Sequence, residues 1–155
     1  MSRILAVDYG ERRVGLALSD EMGLIATGLE TLDRRKHRSD DDLANEIARL
    51  AEEHSVEKVV VGLPLNMDGS SGESAARVIS FAESLSRASR ARVITWDERL
   101  TTVAALRVSR DLGLPRKKRR DRKKIDRLAA VILLQNYLTY RQGTTSFTNP
   151  QEKNH

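Results

Sequence analysis

Three acidic residues stand at positions where the surrounding sequence pattern favours burial. Asp8 ends the apolar run "ILAVD", Glu98 follows "ARVITWD", and Asp126 shortly precedes "LAAVILL". A buried carboxylate without a partner costs several kcal/mol or binds a proton. Three converging carboxylates would repel one another, whereas Mg²⁺ or Mn²⁺ prefers such hard oxygen ligands. The chemistry that fits is metal-assisted hydrolysis of a phosphodiester bond.

Each acid also has a simpler interpretation. Asp8 could accept hydrogen bonds from the backbone of a tight turn at Gly10 and Glu11. Glu98 could face the dipole of a following helix, and Asp126 could lie near a helix N-terminus or pair with nearby lysines. Taken singly these alternatives stay open. The metal site becomes the stronger hypothesis only if all three acids meet at one edge of a sheet.

The basic residues are concentrated in one segment. Residues 116–127 read "RKKRRDRKKIDR", which holds nine basic residues and two acids, a local net charge of +7. The whole chain carries +5, so the remainder carries −2. Such a segment favours a polyanion, and nucleic acid ahead of an acidic membrane because no amphipathic apolar face accompanies it. The alternatives are a solvated surface loop or an rRNA anchor without chemistry.

Five segments are predicted strands. Residues 3–9 and 13–19 form a hairpin across a turn containing Gly10, and residues 24–32 extend it. The runs "EKVVVGLPL" and "ARVITW" follow helices and are predicted to run parallel to the first strand. The expected fold is α/β, with a mixed five-stranded sheet, three antiparallel strands and then two parallel ones, and flanking helices.

The predicted helices come from capping signals and apolar periodicity. Ser39 caps the first, and the spacing of Ser70 and Glu73 indicates a capping box for the second. A third begins at Thr101 or Thr102 and stops at Gly113. The last is expected from Lys124 to Tyr140, with Asp126 on the face of Ala129, Ala130, Leu133 and Tyr137.

These elements are expected to bring the acids together. The C-terminal ends of parallel strands meet at one sheet edge, which places Asp8, the loop at 62–68 and residues 97–99 near one another. A linker from Gly113 to Lys123, about 11 residues, spans up to roughly 36 Å when extended. The last helix can therefore return Asp126 to the same edge.

Length and composition narrow the protein class. A chain of 155 residues suits one domain, expected over 1–142, followed by a polar disordered tail at 143–155. The sequence contains no cysteine, which excludes disulfides and suits a reducing compartment. No signal peptide and no membrane-spanning run is apparent. The expected location is the cytoplasm, without membrane association.

Four segments in order, "VDYGERRVGLALSD", "VVVGLPLNMDGSSG", "DERLTT" and "IDRLAAVILLQNYL", resemble the YqgF family of pre-16S rRNA nucleases, also described as Holliday junction resolvase homologues. The resemblance implies an RNase H-like fold and a nuclease dependent on Mg²⁺ or Mn²⁺ that matures the 5′ end of 16S rRNA. It assigns the catalytic and metal-binding triad to Asp8, Glu98 and Asp126.

The resemblance implies that Asn66 and Arg99 bind substrate, because they match patterns near the family's site, and the basic segment beside the acids adds lysines and arginines that could hold a phosphate backbone. The candidates are Asn66, Arg99, Lys117, Lys118, Arg119, Arg120, Lys123 and Lys124. The expected partner is an rRNA precursor rather than branched DNA, with ribosomal particles as a further partner, and the chain is expected to be a monomer or weak dimer.

Two further functions stay open. One is a DNA junction resolvase, which would need a two-fold dimer. The other is a non-catalytic rRNA-binding assembly factor. An actin-like ATPase fits less well, because such proteins clasp the nucleotide between two lobes and this chain holds one.

Overall fold

The described residues fold around one mixed five-stranded sheet. A computed structural model describes residues 2–64, 72–98 and 119–143, with the side chains of the last range described for 127–142. The strands are β1 (Arg3–Tyr9), β2 (Arg13–Ser19), β3 (Ala26–Asp33), β4 (Val56–Leu63) and β5 (Arg92–Asp97). The helices are α1 (Asp40–Glu53), α2 (Glu73–Ala88) and α3 (Arg119–Gly143), and a 3-10 turn covers Arg34–Lys36.

The strand order is β3-β2-β1-β4-β5. β1 pairs antiparallel with β2, and β2 with β3, whereas β4 is parallel to β1 and β5 is parallel to β4. The parallel pairs follow from the helical crossovers through α1 and α2. The predicted α/β fold, with three antiparallel strands and then two parallel ones, is confirmed.

The two faces of the sheet bury different residues of the same strands. On one face, Leu5 and Val7 join a core with residues of α1 and α2. On the other face, Ile4 and Ala6 pack with Ile94, Trp96 and the buried side of α3. Because side chains alternate along a strand, Asp8 follows Ile4 and Ala6 onto the α3 face.

The third strand begins at Ala26 rather than at residue 24. Asp20 Oδ1 accepts hydrogen bonds from the backbone N–H groups of Leu24 and Ile25, at 2.7 and 2.9 Å. Gly23 adopts a positive φ of 69° in the same turn. The carboxylate of Asp20 therefore holds residues 20–25 as a turn, and the strand starts only after it.

Two of the helix starts differ from the predictions. Ser39 does cap α1, accepting from the N–H of Asp42 at 3.2 Å. In α2, however, Gly72 occupies the N-cap position and Glu73 is the first helical residue. The predicted capping box with Ser70 is wrong, because the box requires the glutamate at the third helical position.

The last helix begins at Arg119, five residues before the predicted Lys124, and ends at Gly143. The predicted linker through Lys123 is therefore wrong over its final residues. Arginine and lysine are good helix formers, so a dense basic run can extend a helix. The predicted helix from Thr101 or Thr102 to Gly113 and the tail beyond residue 143 lie outside the described residues.

None of the helices in the described ranges is both long enough and apolar enough to cross a membrane.

Tyr9, at the end of β1, is fixed on the face opposite Asp8. Its ring stacks on Phe81 with centroids 4.6 Å apart, and the guanidinium of Arg34 lies 4.4 Å from the ring centroid. The Tyr9 hydroxyl donates to Asp40 Oδ2 at 2.8 Å. Burial and then the hydrogen bond to Asp40 raise the pKa of Tyr9 to about 12.

We expect this shift to produce a pH-dependent loss of stability. Between pH 10 and 12 Tyr9 of the unfolded chain has lost its proton while the folded protein retains it, so the free energy of unfolding falls with rising pH. Tyr9→Phe should show a smaller fall over that interval in denaturant titrations. The difference in tyrosinate absorbance between the wild type and Tyr9→Phe reports Tyr9 alone, and it should titrate near pH 12. Asp40→Asn should lower the midpoint of this titration. A Tyr9 midpoint at pH 10 would contradict the assignment.

Candidate active site

Asp8 lies at the C-terminal end of β1 and is 1% exposed. It pairs with Gly15 of β2. On its other side Val7 pairs with Val61 of β4, and one further step of this register places Gly62 beside Asp8. Glycines therefore flank Asp8 on both neighbouring strands, and neither contributes a side chain to the space around its carboxylate.

The turn after Asp8 is closed by other groups. The N–H of Gly10 donates to the carbonyl oxygen of Arg13 at 2.9 Å. From the opposite face, Arg34 Nη1 donates to the carbonyl oxygens of Gly10 and Glu11, at 3.0 and 2.7 Å. In the tight-turn interpretation, the N–H of Gly10 would donate to the Asp8 carboxylate. Because this N–H donates to the backbone of Arg13, that interpretation is weakened.

Glu98 follows β5 directly and is 2% exposed. Its N–H donates to the carbonyl oxygen of Leu63 at 3.3 Å, which ties the residue to the end of β4. Ile94 and Trp96 pack on the α3 side of the sheet, and alternation continues this face to Glu98. Its burial argues against the simpler interpretation of a solvent-exposed acid facing a helix dipole.

Gly62 provides the space that the Glu98 carboxylate occupies. A Cβ atom on Gly62 would lie 2.6 Å from Glu98 Oε2 and 3.0 Å from Leu133 Cδ2. Neighbouring strands are about 4.8 Å apart, so this position is about 5 Å from the Cβ of Asp8. The carboxylate of Glu98 therefore lies over β4, beneath α3 and next to Asp8. Sequence reasoning missed this role of Gly62, whose signal is a glycine interrupting the valine-rich strand.

Asp126 belongs to α3, and its side chain lies outside the described residues. It precedes Ala129 by three residues and Ala130 by four, which places these positions on one helix face. Both alanines and Leu133 are buried against the sheet. The backbone thus places Asp126 on the sheet-facing side, while its membership of the acidic triad stays a prediction.

The described residues bring together two of the three predicted acids. Within residues 2–64, 72–98 and the described side chains of α3, no group of three histidine, cysteine, aspartate or glutamate side chains could hold a metal ion. A metal site at Asp8 and Glu98 would need a further ligand from Asp126, from other residues outside this set, or from water. The buried carboxylate oxygens of Asp8 and Glu98, next to the space left by Gly62, are donors of the kind that a small hard cation prefers.

The side chains of all eight predicted substrate-binding residues lie outside the described part of the structure. Asn66, Arg99, Lys117 and Lys118 lie outside the described residues, as do the side chains of Arg119, Arg120, Lys123 and Lys124.

The direction of α3 across the sheet nevertheless shows where its basic N-terminal turns lie. Leu133 contacts the Gly62 position, whereas Leu138 contacts Gly23 at the opposite sheet edge. From Leu133 back to Arg119 the helix extends about 21 Å at 1.5 Å per residue. The basic N-terminal turns therefore extend past the edge that carries Asp8 and Glu98.

This sheet, with α1 and α2 on one face and α3 on the other, is an RNase H-like fold. The structure is similar to that of Thermus thermophilus RuvC in complex with a Holliday junction substrate, with a TM-score of 0.55 at 14% sequence identity, covering 93% of this chain and 98% of that chain. At this identity the likeness shows the fold alone.

The family model of RuvX, described as a Holliday junction resolvase, matches residues 2–140, and the chain belongs to this family. The resemblance to the YqgF family is thereby confirmed. A relative from Syntrophus aciditrophicus (strain SB) is 46% identical over 136 residues, which are 88% of this chain and 87% of the relative. One from Halalkalibacterium halodurans is 44% identical over 140 residues, 90% of this chain and 98% of the relative. Both carry the name "Putative pre-16S rRNA nuclease".

Proposed function

We propose that this protein is an endonuclease dependent on a divalent metal, Mg²⁺ or Mn²⁺, that cleaves precursor 16S rRNA near its 5′ end. The observation that carries the proposal is the pair of buried carboxylates, Asp8 and Glu98, which share one face and one edge of the sheet around Gly62. Together with Asp126 they would hold the metal. When bound, the metal supplies a water activated for attack and a positive charge at the leaving oxygen.

The chain's own residues position the reaction. Asp8 and Glu98 would supply oxygen ligands from the ends of β1 and β5, which lie on either side of β4. The missing side chain of Gly62 on β4 leaves room for the Glu98 carboxylate. The apolar face of α3 shields the inner side of the site from water. The basic N-terminal turns of α3 attract the phosphate backbone, which the acids alone would repel.

RNA is the preferred substrate because the relatives, which are similar to this chain over most of its length, carry the name of pre-16S rRNA nucleases. A second candidate, a resolvase of branched DNA, is favoured by the description of the matching family model. Symmetric cleavage of a junction requires a two-fold dimer, whereas trimming one RNA end does not. Oligomeric state and substrate preference therefore separate the two candidates.

The test is cleavage of three substrates by the full-length protein, with the metal titrated. We expect precursor 16S RNA to be cut in Mg²⁺ or Mn²⁺, and a four-way DNA junction and a linear duplex to be cut more slowly. Asp126→Asn should lower the rate on RNA by about 10²-fold or more, because it removes a metal ligand.

Asp121→Asn is the matched control. It removes one charge from the same basic segment, five residues away and thus on a different side of α3. Cleavage that Asp126→Asn leaves unchanged would contradict the assigned site. Salt-sensitive RNA binding with no product at any metal concentration would instead support the assembly factor.

A further inference from the structure

Gly28, in the middle of β3, makes room for the side chain of Arg127. A Cβ atom on Gly28 would lie 2.6 Å from both Cγ and Cδ of Arg127. A glycine inside a strand weakens the strand and often marks close approach by another group. Here that group is the aliphatic stem of an arginine from α3, which lies across the strand.

The local sheet structure adds to this space. Leu16 pairs with Glu30 and Ala17 with Gly28, so Leu29 is an extra residue and β3 contains a bulge. Ala6 and Ala17 pair in the same row. The row Ala6–Ala17–Gly28 therefore carries no side chain larger than a methyl group, and it forms a shallow trough that accepts the arginine stem.

The guanidinium of Arg127 remains available to a ligand. The residue is exposed, and within the described part of the chain its guanidinium takes part in no hydrogen bond or ion pair. By contrast, Arg34, Arg35 and Arg49 are each paired with a carboxylate. A fixed stem lowers the conformational entropy lost when the guanidinium binds, which suits a bidentate phosphate contact.

The distance between Gly28, which Arg127 contacts, and Asp8 is one that a nucleic-acid strand can span. Asp8 pairs with Gly15, while Gly28 pairs with Ala17, two residues further along β2. Two strand spacings across the sheet and two residues along it separate Gly28 from Asp8 by about 12 Å. A separation of this size can be spanned by a few nucleotides of one strand.

We propose that Arg127, seated on Gly28, binds a backbone phosphate a few nucleotides from the bond that is cleaved. The proposal rests on the proposed nuclease function and adds a substrate contact outside the acidic site. Because the contact is to phosphate, it contributes affinity and register rather than base specificity.

The test is binding of a labelled RNA carrying the precursor 16S 5′ end, measured in chelator so that no cleavage occurs. Arg127→Gln should weaken binding about tenfold at low salt and reduce the slope of log K against log salt by about one. Arg87→Gln, which changes an exposed arginine on α2 across the sheet, should leave both quantities unchanged. An Arg127→Gln variant with wild-type affinity and slope would show that the side chain only covers β3, and would overturn the proposal.

The role of Gly28 is tested by a double-mutant cycle. Gly28→Ala should displace the arginine stem and weaken RNA binding, but should add no further loss in the Arg127→Gln background. Additive losses would overturn the seating role, and if Gly28→Ala does not fold, Arg127→Gln alone decides the phosphate contact. If the wild type binds RNA with the expected Arg127 dependence yet never cleaves it, the nuclease function fails while the phosphate contact stands.

Discussion

Asp8→Asn is expected to lower the rate of RNA cleavage about 10³-fold, which corresponds to about 4 kcal/mol of transition-state stabilisation. The reason is the loss of an anionic metal ligand. The same variant should unfold at an equal or higher temperature than the wild type in chelator. Asp8 is buried beside a second buried carboxylate, and replacing one of them by a neutral amide removes repulsion and desolvation.

Asp41→Asn is the control for Asp8→Asn. Asp41 is an exposed acid in the first turn of α1, on the other side of the sheet. The Asp41→Asn substitution should leave the cleavage rate unchanged. Measurements of initial cleavage rate and of thermal unfolding in chelator separate loss of chemistry from loss of fold. An Asp8→Asn protein that cleaves at the wild-type rate, or that is unfolded at room temperature, would contradict the assignment of Asp8 as a buried metal ligand.

Gly62→Ala is expected to reduce cleavage about 10²-fold and to destabilise the protein by about 1–3 kcal/mol. The added methyl group would lie 2.6 Å from Glu98 Oε2 and 3.0 Å from Leu133 Cδ2. The fully buried Leu133 has little room to move. The Glu98 carboxylate must then shift away from Asp8, and the shared site loses its geometry.

A second substitution separates the two effects of Gly62→Ala. In the Gly62→Ala, Glu98→Ala double variant the carboxylate that meets the new methyl group is absent. We expect its thermal stability to recover part of the loss, while cleavage stays at the low level of Glu98→Ala alone. If Gly62→Ala cleaves as fast as the wild type and is equally stable, Gly62 does not provide the space for Glu98.

The faces of the strands could be predicted because they depend on a period of two residues. Ile4, Ala6 and Asp8 share a face for that reason alone, and the helical crossovers then fix the parallel strands. The contact between Glu98 and Gly62 could not be predicted. It joins residues on neighbouring strands whose register depends on the packing of the whole sheet.

The errors at element ends have local causes. The start of β3 is set by Asp20, whose carboxylate accepts two backbone hydrogen bonds and keeps residues 24 and 25 in a turn. The predicted linker runs through Lys123, but the high helix propensity of its arginines and lysines extends α3 back to Arg119. In the sequence Arg127 is one basic residue among nine in residues 116–127, and its contact with Gly28 arises only when α3 packs across β3.

Titration of the full-length protein with Mn²⁺, followed by the paramagnetic signal of the free ion, shows whether Asp8 and Glu98 hold a metal ion. We expect a saturable site in the wild type and in Asp41→Asn, and a Mn²⁺ affinity at least about tenfold weaker in Asp8→Asn and in Glu98→Gln. Wild-type Mn²⁺ affinity in both site variants would show that these buried carboxylates do not hold a metal, and the proposed mechanism would be wrong.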